Sequence, residues 1–433
     1  MRTAPDGLAE AALARPGESR WRVLLRSGAV LAAWPGRCVR PARLRADRQR
    51  HHFPEWGPSN PQPGIRVAEG TCGLIGLARL PRAVRARTLL PPTHRTPPAM
   101  NAWVVTRYGS PDVLELREVE TPEPEEDQLR VRIHATTVSS GDWRIRSMNV
   151  PRGFGLMTRL VFGLTAPRSP ILGTEFAGRI DRVGRDVTGF AVGDAVFGNT
   201  DATMGAHAEY IVMDADAAIA PAPENLSFGE AAAMSFGGST GLQFLPRGGI
   251  ESGHRVLING ASGAVGSAAV QLARAFGAHV TGVCSAANGD LVRSLGADDV
   301  VDYRATDISD SGETWDIIMD TAGTMPYRRA KRILADGGSL LVVLGDAPAM
   351  LSAPFISMAS KHRVAAGPAS GTAEDLKLLA DLAKNDEYRP VVDSWYPFEE
   401  MVEAHRRVDT GHKRGNVVVR VVDSDPPPPT RSS

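Results

Sequence analysis

The rhythm of polar and apolar positions changes along the chain. From residue 100, short segments alternate with a period of two, divided by Gly, Pro and Asp. Residues 103–106, 114–119 (LELREV), 129–135 (LRVRIHA), 177–183, 194–197 and 208–213 read as half-buried strands of a compact β-rich domain. Beyond residue 250 the apolar runs become continuous at 256–258, 279–283, 315–319 (WDIIM) and 338–344 (GSLLVVL). Such runs suit strands buried on both faces. Between them, 267–276 is Ala-rich with Leu272 and Phe276 on one face and closes at Gly277, and 326–334 is expected to be helical. Alternating strands and helices predict an α/β fold with a doubly wound parallel sheet. A helix over 373–385, a second over 396–408 entered at Pro397, and a last strand over 416–422 complete the pattern.

The first continuous strand runs into Asn259-Gly260-Ala261-Ser262-Gly263-Ala264-Val265-Gly266, and then into a helix and a second strand. Strand, glycine turn, helix and strand form the unit that holds a dinucleotide. Gly263 and Gly266 remove Cβ atoms where backbone must approach a pyrophosphate and where helix must approach strand. The helix N-terminus points free N–H groups at the phosphates. Gly260, Ser262, Gly263, Ala264, Val265 and Gly266 are therefore the expected cradle, although Ala261 stands where a first Gly is usual. The second strand ends Val283-Cys284-Ser285-Ala286, without the acid that accepts ribose hydroxyls in an NAD site. Ser285 can donate to a 2′-phosphate, Tyr303 adds a hydroxyl and Arg293 a charge. This favours NADP(H). The competing reading is that Ser285 only caps the following segment.

Composition changes the picture mainly at the N-terminus. The net charge of zero conceals an asymmetry, because residues 1–99 hold 17 Arg, no Lys and 6 acidic residues, whereas the rest holds 32 basic and 43 acidic ones. The leading segment also carries 13 of the 32 prolines and no sustained period, so it is expected to be disordered. It reads as a nucleic-acid-binding arm, as an organellar transit segment, or as a stretch upstream of a true start at Met100. The last is favoured, because Arg without Lys reflects nucleotide composition rather than a selected basic surface, and no nucleic-acid partner is expected. No run reaches the roughly 18 apolar residues that span a bilayer. Residues 23–34 are too few and are broken by Arg26. The three cysteines, Cys38, Cys72 and Cys284, build neither a disulfide framework nor a metal-ligand spacing. A cytoplasmic protein with no membrane partner is expected.

From Met100 to about Val422 the chain resembles the medium-chain dehydrogenase/reductase superfamily. The resemblance rests on RYGSPDVLEL, on GTEFAGRIDRVGRDVTGFAVGDAVFG at 173–198, on GAHAEY at 205–210, on NGASGAVG, on LGADDVVDY, and on GHKRGNVVV at 411–419. It implies a GroES-like substrate domain over 100–224, completed by 364–423, and a Rossmann NADP-binding domain over 225–363. A disordered tail over 424–433 follows, and the site lies between the domains. Zinc members of the superfamily take ligands at two positions that are Ser139 and Thr174 here. Neutral hydroxyls are poor zinc ligands beside thiolate and imidazole, so no metal is expected. His134, His207 and His254 suggest no shared site.

Without a Lewis acid, feasible chemistry is hydride transfer to an electron-poor acceptor whose oxyanion needs only hydrogen-bond donors. The chain looks like the zinc-less quinone oxidoreductases and enoyl or alkenal reductases, with a quinone or enone as the small-molecule acceptor. The segment 138–147 (VSSGDWRIRS) occupies the pocket-lining position of that branch. Arg144 is placed to stabilise an oxyanion and Ser139 or Ser140 to relay a proton. Asp142 is expected to anchor the loop, pairing with Arg146. Thr240 stands where the family has a hydroxyl at the nicotinamide, Leu344 ends the strand facing the carboxamide, and Asn416 lies at the closing step. Residues 151–170 are expected to form a long apolar loop serving as a lid. The resemblance also implies a homodimer. A non-catalytic NADPH-binding sensor or adaptor, and a zinc alcohol dehydrogenase, remain as alternatives.

Overall fold

The computed structural model describes residues 99–422. Of the extension expected over 1–99, residues 1–98 lie outside the described residues and Ala99 already opens the first strand; the tail expected over 424–433 also lies outside them. In the first part of the chain, β1 (Ala99–Val105) and β2 (Leu114–Glu120) form an antiparallel hairpin. The strands β3 (Gln128–Val138), β4 (Glu175–Val183), β5 (Ala195–Asn199), β6 (Tyr210–Asp214) and β7 (Ile219–Pro221) follow. Between β3 and β4 lie two helices, α1 (Ser140–Ser147) and α2 (Gly155–Phe162). The second of these corrects the expectation of an irregular loop over 151–170. Its Leu156, Met157, Leu160 and Val161 are exposed, so no buried stripe marks it as a helix that packs.

Two further helices, α3 (Phe228–Ala232) and α4 (Ser235–Arg247), lead to the parallel sheet. Its elements are β8 (Arg255–Asn259), α5 (Ala264–Ala275), β9 (His279–Cys284), α6 (Gly289–Ser294), β10 (Asp299–Asp302), β11 (Trp315–Asp320), α7 (Tyr327–Ala330), β12 (Leu334–Val342), α8 (Ala347–Ala359) and β13 (Arg363–Ala366). The strands are ordered β10-β9-β8-β11-β12-β13, all pairs parallel. This is the doubly wound order in which a ligand sits beyond the C-terminal ends of the strands, at the switch between β8 and β11. The helix expected over 326–334 is a single turn, because Leu334 already begins β12.

The chain then forms α9 (Ala373–Lys384), β14 (Val392–Pro397), α10 (Met401–Asp409) and β15 (Asn416–Arg420). Because β13 still belongs to the parallel sheet, the return to the β-rich sheet falls after Ala366 rather than at 364. Tyr396 lies in β14, so the helix expected over 396–408 begins only at Met401. The β-rich sheet runs β14-β15-β3-β4-β5-β7. One edge of the eleven-residue β3 pairs with β4; the other is shared, β6 covering 128–132 and β15 covering 135–138. One hydrophobic core joins the two sheets, with Ala177, Phe197 and Ala220 packing in a single cluster with Val256, Ile258, Leu272 and Met319. No helix among the described residues is long and apolar enough to cross a membrane.

Candidate active site

The glycine bend is held from three sides. The Gly260 and Ala261 N–H groups both donate to the Val283 carbonyl at 3.0 Å, pinning the bend to β9. Thr321 Oγ1 donates to the Asn259 carbonyl at 2.8 Å, and Asn259 Nδ2 donates to buried Asp320 at 2.8 Å. Gly260 has φ +85°, and a Cβ there would meet Thr321 Oγ1 at 2.7 Å. At Gly266 a Cβ would lie 2.0 Å from the Gly260 carbonyl oxygen, so only glycine lets α5 come this close. Ala261 is fully buried, and a Cβ at Gly282 would come within 3.2 Å of its methyl. The departure from a strict glycine pattern thus puts a methyl into the core behind the bend. Gly263 caps α5 without a side-chain hydrogen bond, so the first-turn N–H groups of Ala264, Val265 and Gly266 face outward with no intrahelical partner.

Around this bend the strand ends gather most of the expected contacts. Asn288 Nδ2 donates to Ser262 Oγ at 2.9 Å. Ser285 precedes a short 3-10 turn but makes no side-chain cap bond, so the capping reading fails and its hydroxyl is free. Tyr303 is 54% exposed, and its N–H donates to the Cys284 carbonyl at 3.1 Å, which sets it beside Ser285. Arg293 pairs with Asp290 at 3.0 Å. Sequence reasoning missed Arg304, whose guanidinium lies over the Tyr303 ring at 5.6 Å from its centre. Leu344 lies beyond β12, its N–H on the Asp320 carbonyl at 3.4 Å. Thr240 Oγ1 donates to the Phe236 carbonyl of its own helix at 2.7 Å. Asn416 is buried and its amide donates to the Ala233 and Val391 carbonyls, both at 3.1 Å, so it braces the closing strand.

The segment expected to carry catalysis is a helix started by a capping box. Ser139 Oγ accepts from the Gly141 and Asp142 N–H groups and donates to Asp142 Oδ2 at 2.6 Å. Its proton is committed to that bond. Ser140 is exposed on the first turn. Arg144 is partly buried, stacks over Trp143 at 5.0 Å and donates to the Asn149 carbonyl at 3.3 Å; burial holds its pKa below the ordinary value. Asp142, fully buried, anchors the helix by accepting the Gly173 N–H at 3.0 Å. It does not pair with Arg146. The Arg146 guanidinium instead grips Asp409 of α10 at 2.5 and 2.7 Å, and also donates to the Gly109 carbonyl at 2.7 Å and His405 Nδ1 at 3.2 Å. Arg146 sits one helical turn beyond Asp142, and its fork is taken by a partner 263 residues away that no local pattern reveals.

Behind α1 lies Glu175, buried to 1% exposure on β4. It accepts the Phe236 N–H at 2.7 Å and the Thr137 hydroxyl, and burial pushes its carboxyl up to about 7. The only sequence signal was one acid opening an apolar strand (TEFAG). The sign of the linkage is fixed by that shift. Native Glu175 keeps a proton that the unfolded chain loses, so stability falls as pH rises from about 4.5 to about 7. The pH 5 minus pH 8 difference in urea-unfolding free energy is expected to shrink by on the order of 3 kcal/mol in Glu175→Gln. Equal pH slopes in the two proteins would refute this.

Of the three histidines considered from sequence, His134 packs against Phe228 at 4.4 Å, and burial pushes it down to about 4. His254 Nδ1 accepts the Glu251 N–H at 3.2 Å. His207 holds the Thr137 carbonyl at 3.0 Å and meets His405 edge-to-face at 5.3 Å. Among the described residues, no three His, Cys, Asp or Glu side chains converge into a group that could hold a metal ion. The two expected zinc-ligand positions carry Ser139, with its committed hydroxyl, and Thr174, whose buried Oγ1 has no partner.

Comparison with known proteins agrees with this geometry. Residues 125–224 match the alcohol dehydrogenase GroES-like domain, and residues 295–419 match the zinc-binding dehydrogenase family. The chain is 30% identical over 338 residues to the 2-methylene-furan-3-one reductase of Solanum lycopersicum, covering 75% of this chain and 80% of the relative. It is 31% identical over 372 residues to a mitochondrial NAD(P)H oxidoreductase of Homo sapiens, covering 75% and 89%. The solved structure of the quinone oxidoreductase from Coxiella burnetii superposes with a TM-score of 0.68 at 27% identity, covering 75% of this chain and all of that one. The β-rich domain is thus GroES-like, the parallel sheet is Rossmann-like, and the cofactor is a nicotinamide nucleotide.

Proposed function

From the premise that this chain belongs to the medium-chain dehydrogenase/reductase superfamily, as a quinone or enoyl reductase-like oxidoreductase, we propose that it uses NADPH to reduce a quinone or an α,β-unsaturated carbonyl without zinc. The observation that carries this reading is the donor set. Where zinc relatives place thiolate and imidazole, this chain places a capped serine and a threonine, neither able to hold zinc in competition with solvent. Bound NADPH supplies the hydride. The chain's own residues have simpler tasks. Gly260, Ser262, Gly263, Ala264, Val265 and Gly266 cradle the pyrophosphate, while Thr240 and Leu344 border the nicotinamide. The Thr174 hydroxyl has a free proton, and Arg144 offers its guanidinium N–H groups to an acceptor oxygen that gains charge. Ser140 is the exposed hydroxyl of the α1 segment, free to pass a proton where Ser139 is not.

Following NADPH absorbance with a panel of quinones and α,β-unsaturated carbonyls tests the reading. Turnover that survives chelation is expected. NADPH binding without turnover across the panel would make the protein a sensor or adaptor, and alcohol turnover lost on chelation would restore zinc chemistry. Preference for NADPH over NADH rests on Ser285, Tyr303 and the cations Arg293 and Arg304 around the end of β9. Losing two charge-assisted contacts of about 1.5–3 kcal/mol each is expected to cost the double variant R293A/R304A at least tenfold in that preference. Unchanged NADPH and NADH dissociation constants would sink it. A cytoplasmic homodimer completes the proposal, with fractionation and sedimentation as its measurements.

A further inference from the structure

The cofactor contacts proposed at the bend come from the parallel-sheet domain, yet the returning segment brings one cation to the same place. Gly415 pairs with Gly263 as an isolated parallel bridge, and its N–H donates to the Ser262 carbonyl at 2.8 Å. Two residues earlier, Lys413 folds back so that Nζ donates to the Gly415 carbonyl at 2.6 Å. The ammonium is therefore held one peptide unit from the glycine bend, with two N–H groups still to give. The charged groups facing it are Glu175 of β4, Asp142 of α1, Asp393 of β14 and Arg407 of α10. Each is already engaged. Glu175 accepts from Thr137 and Phe236, Asp142 from Ser139 and Gly173, and Asp393 is gripped by Arg407 and the Arg414 N–H. Among the described residues no carboxylate lies within ion-pairing distance of Lys413. A partly desolvated cation without a direct ion pair is held at a cost that facing carboxylates only partly offset, and it becomes favourable where an anion arrives.

We propose that Lys413 binds the pyrophosphate of the nicotinamide nucleotide, and that nucleotide affinity is coupled to the charge on this amine. The inference rests on a nucleotide lying at the bend and adds a contact from the opposite domain. Burial pushes the free amine down to about 8. A bound pyrophosphate favours the ammonium and draws its pKa back up. Below about pH 8 the cation is present and affinity is full; above it, binding must recruit a proton. Affinity then falls by roughly tenfold per pH unit until the bound-state pKa is reached.

The test is titration of the full chain with NADPH and with NADH between pH 7.5 and 9.5, following tryptophan fluorescence. The wild type is expected to weaken with rising pH toward both nucleotides alike. Lys413→Arg, which keeps its charge throughout, is expected to bind tightly with no pH step. Lys413→Met is expected to bind weakly at every pH, matching the high-pH limit of the wild type. Calorimetry of the wild type in two buffers at pH 8.5 is expected to show uptake of about three-quarters of a proton per nucleotide, abolished in Lys413→Arg. Wild-type binding that is flat with pH, or Lys413→Met equal to wild type at pH 7.5, overturns the proposal. A pH step with NADPH alone moves the amine to the 2′-phosphate and overturns the assignment to the pyrophosphate. No binding by the wild type at any pH removes the nucleotide from the bend instead, a separate failure.

Discussion

Gly266→Ala is expected to weaken nicotinamide nucleotide binding by at least about a hundredfold, the scale of a site displaced by an ångström, and to destabilise the fold by about 1–3 kcal/mol. The added methyl would meet the Gly260 carbonyl oxygen at 2.0 Å, its carbon at 2.8 Å and the Ala261 Cα at 2.9 Å. All three are backbone atoms in a bend pinned to β9, so no side chain can swing aside. The whole of α5 must withdraw, taking its N-terminal N–H groups with it. Gly263→Ala is the matched contrast. There the methyl finds only the Gly260 oxygen at 3.5 Å, an ordinary contact. That variant is expected to keep its stability within about 0.5 kcal/mol while still losing affinity, because the methyl stands on the face proposed to receive the pyrophosphate. Melting curves and nucleotide titrations of the two variants decide the matter. A Gly266→Ala protein with wild-type affinity would mean that the close approach is not what shapes the site.

Arg146→Met is expected to cost about 3–5 kcal/mol in unfolding free energy, measured by urea denaturation. Arg146 is fully buried and ties together three separate parts of the β-rich domain: the loop at Gly109, helix α1, and His405 with Asp409 of α10. Truncation leaves the Asp409 carboxylate, the Gly109 carbonyl and the His405 Nδ1 without their donor. Arg146→Lys is expected to recover only part of the loss, since an ammonium cannot reproduce the planar fork that holds both carboxylate oxygens. If Asp409→Asn costs as much as Arg146→Met and the double variant costs no more than either, the two act as one unit. Additive costs would show that the pair is not the source of the effect.

Much of the architecture was legible because its causes are local or periodic. Alternation marked β2 and the central part of β3, continuous apolar runs marked β8, β9 and β11, and the turn from Asn259 to Gly266 marked the bend where the nucleotide is proposed to lie. What escaped depends on partners distant in sequence. Helix α1 has no apolar stripe and is set by the reciprocal bonds of Ser139 and Asp142, a serine-to-aspartate box legible only once its role is known. Strand β14 has no clean alternation, since all of its residues but Pro397 are half-buried. Arg146 was expected to find its nearest acid and found Asp409 instead. Lys413 and Glu175 are single charges in short motifs, and only the fold shows that Glu175 is buried on β4 and that Lys413 reaches the bend through Gly415.

The place of β15 has a consequence for synthesis. The six strands of the parallel sheet lie within residues 255–366, so that sheet has all its parts once Ala366 has left the ribosome. The β-rich sheet does not: the 135–138 stretch of β3 has no neighbour on one side until residues 416–420 emerge. Nearly three hundred residues of translation thus pass with an unpaired strand edge waiting. A premature stop shortly before Asn416 would leave a finished nucleotide domain tethered to an open edge, a product fated for chaperones or aggregation rather than for partial activity.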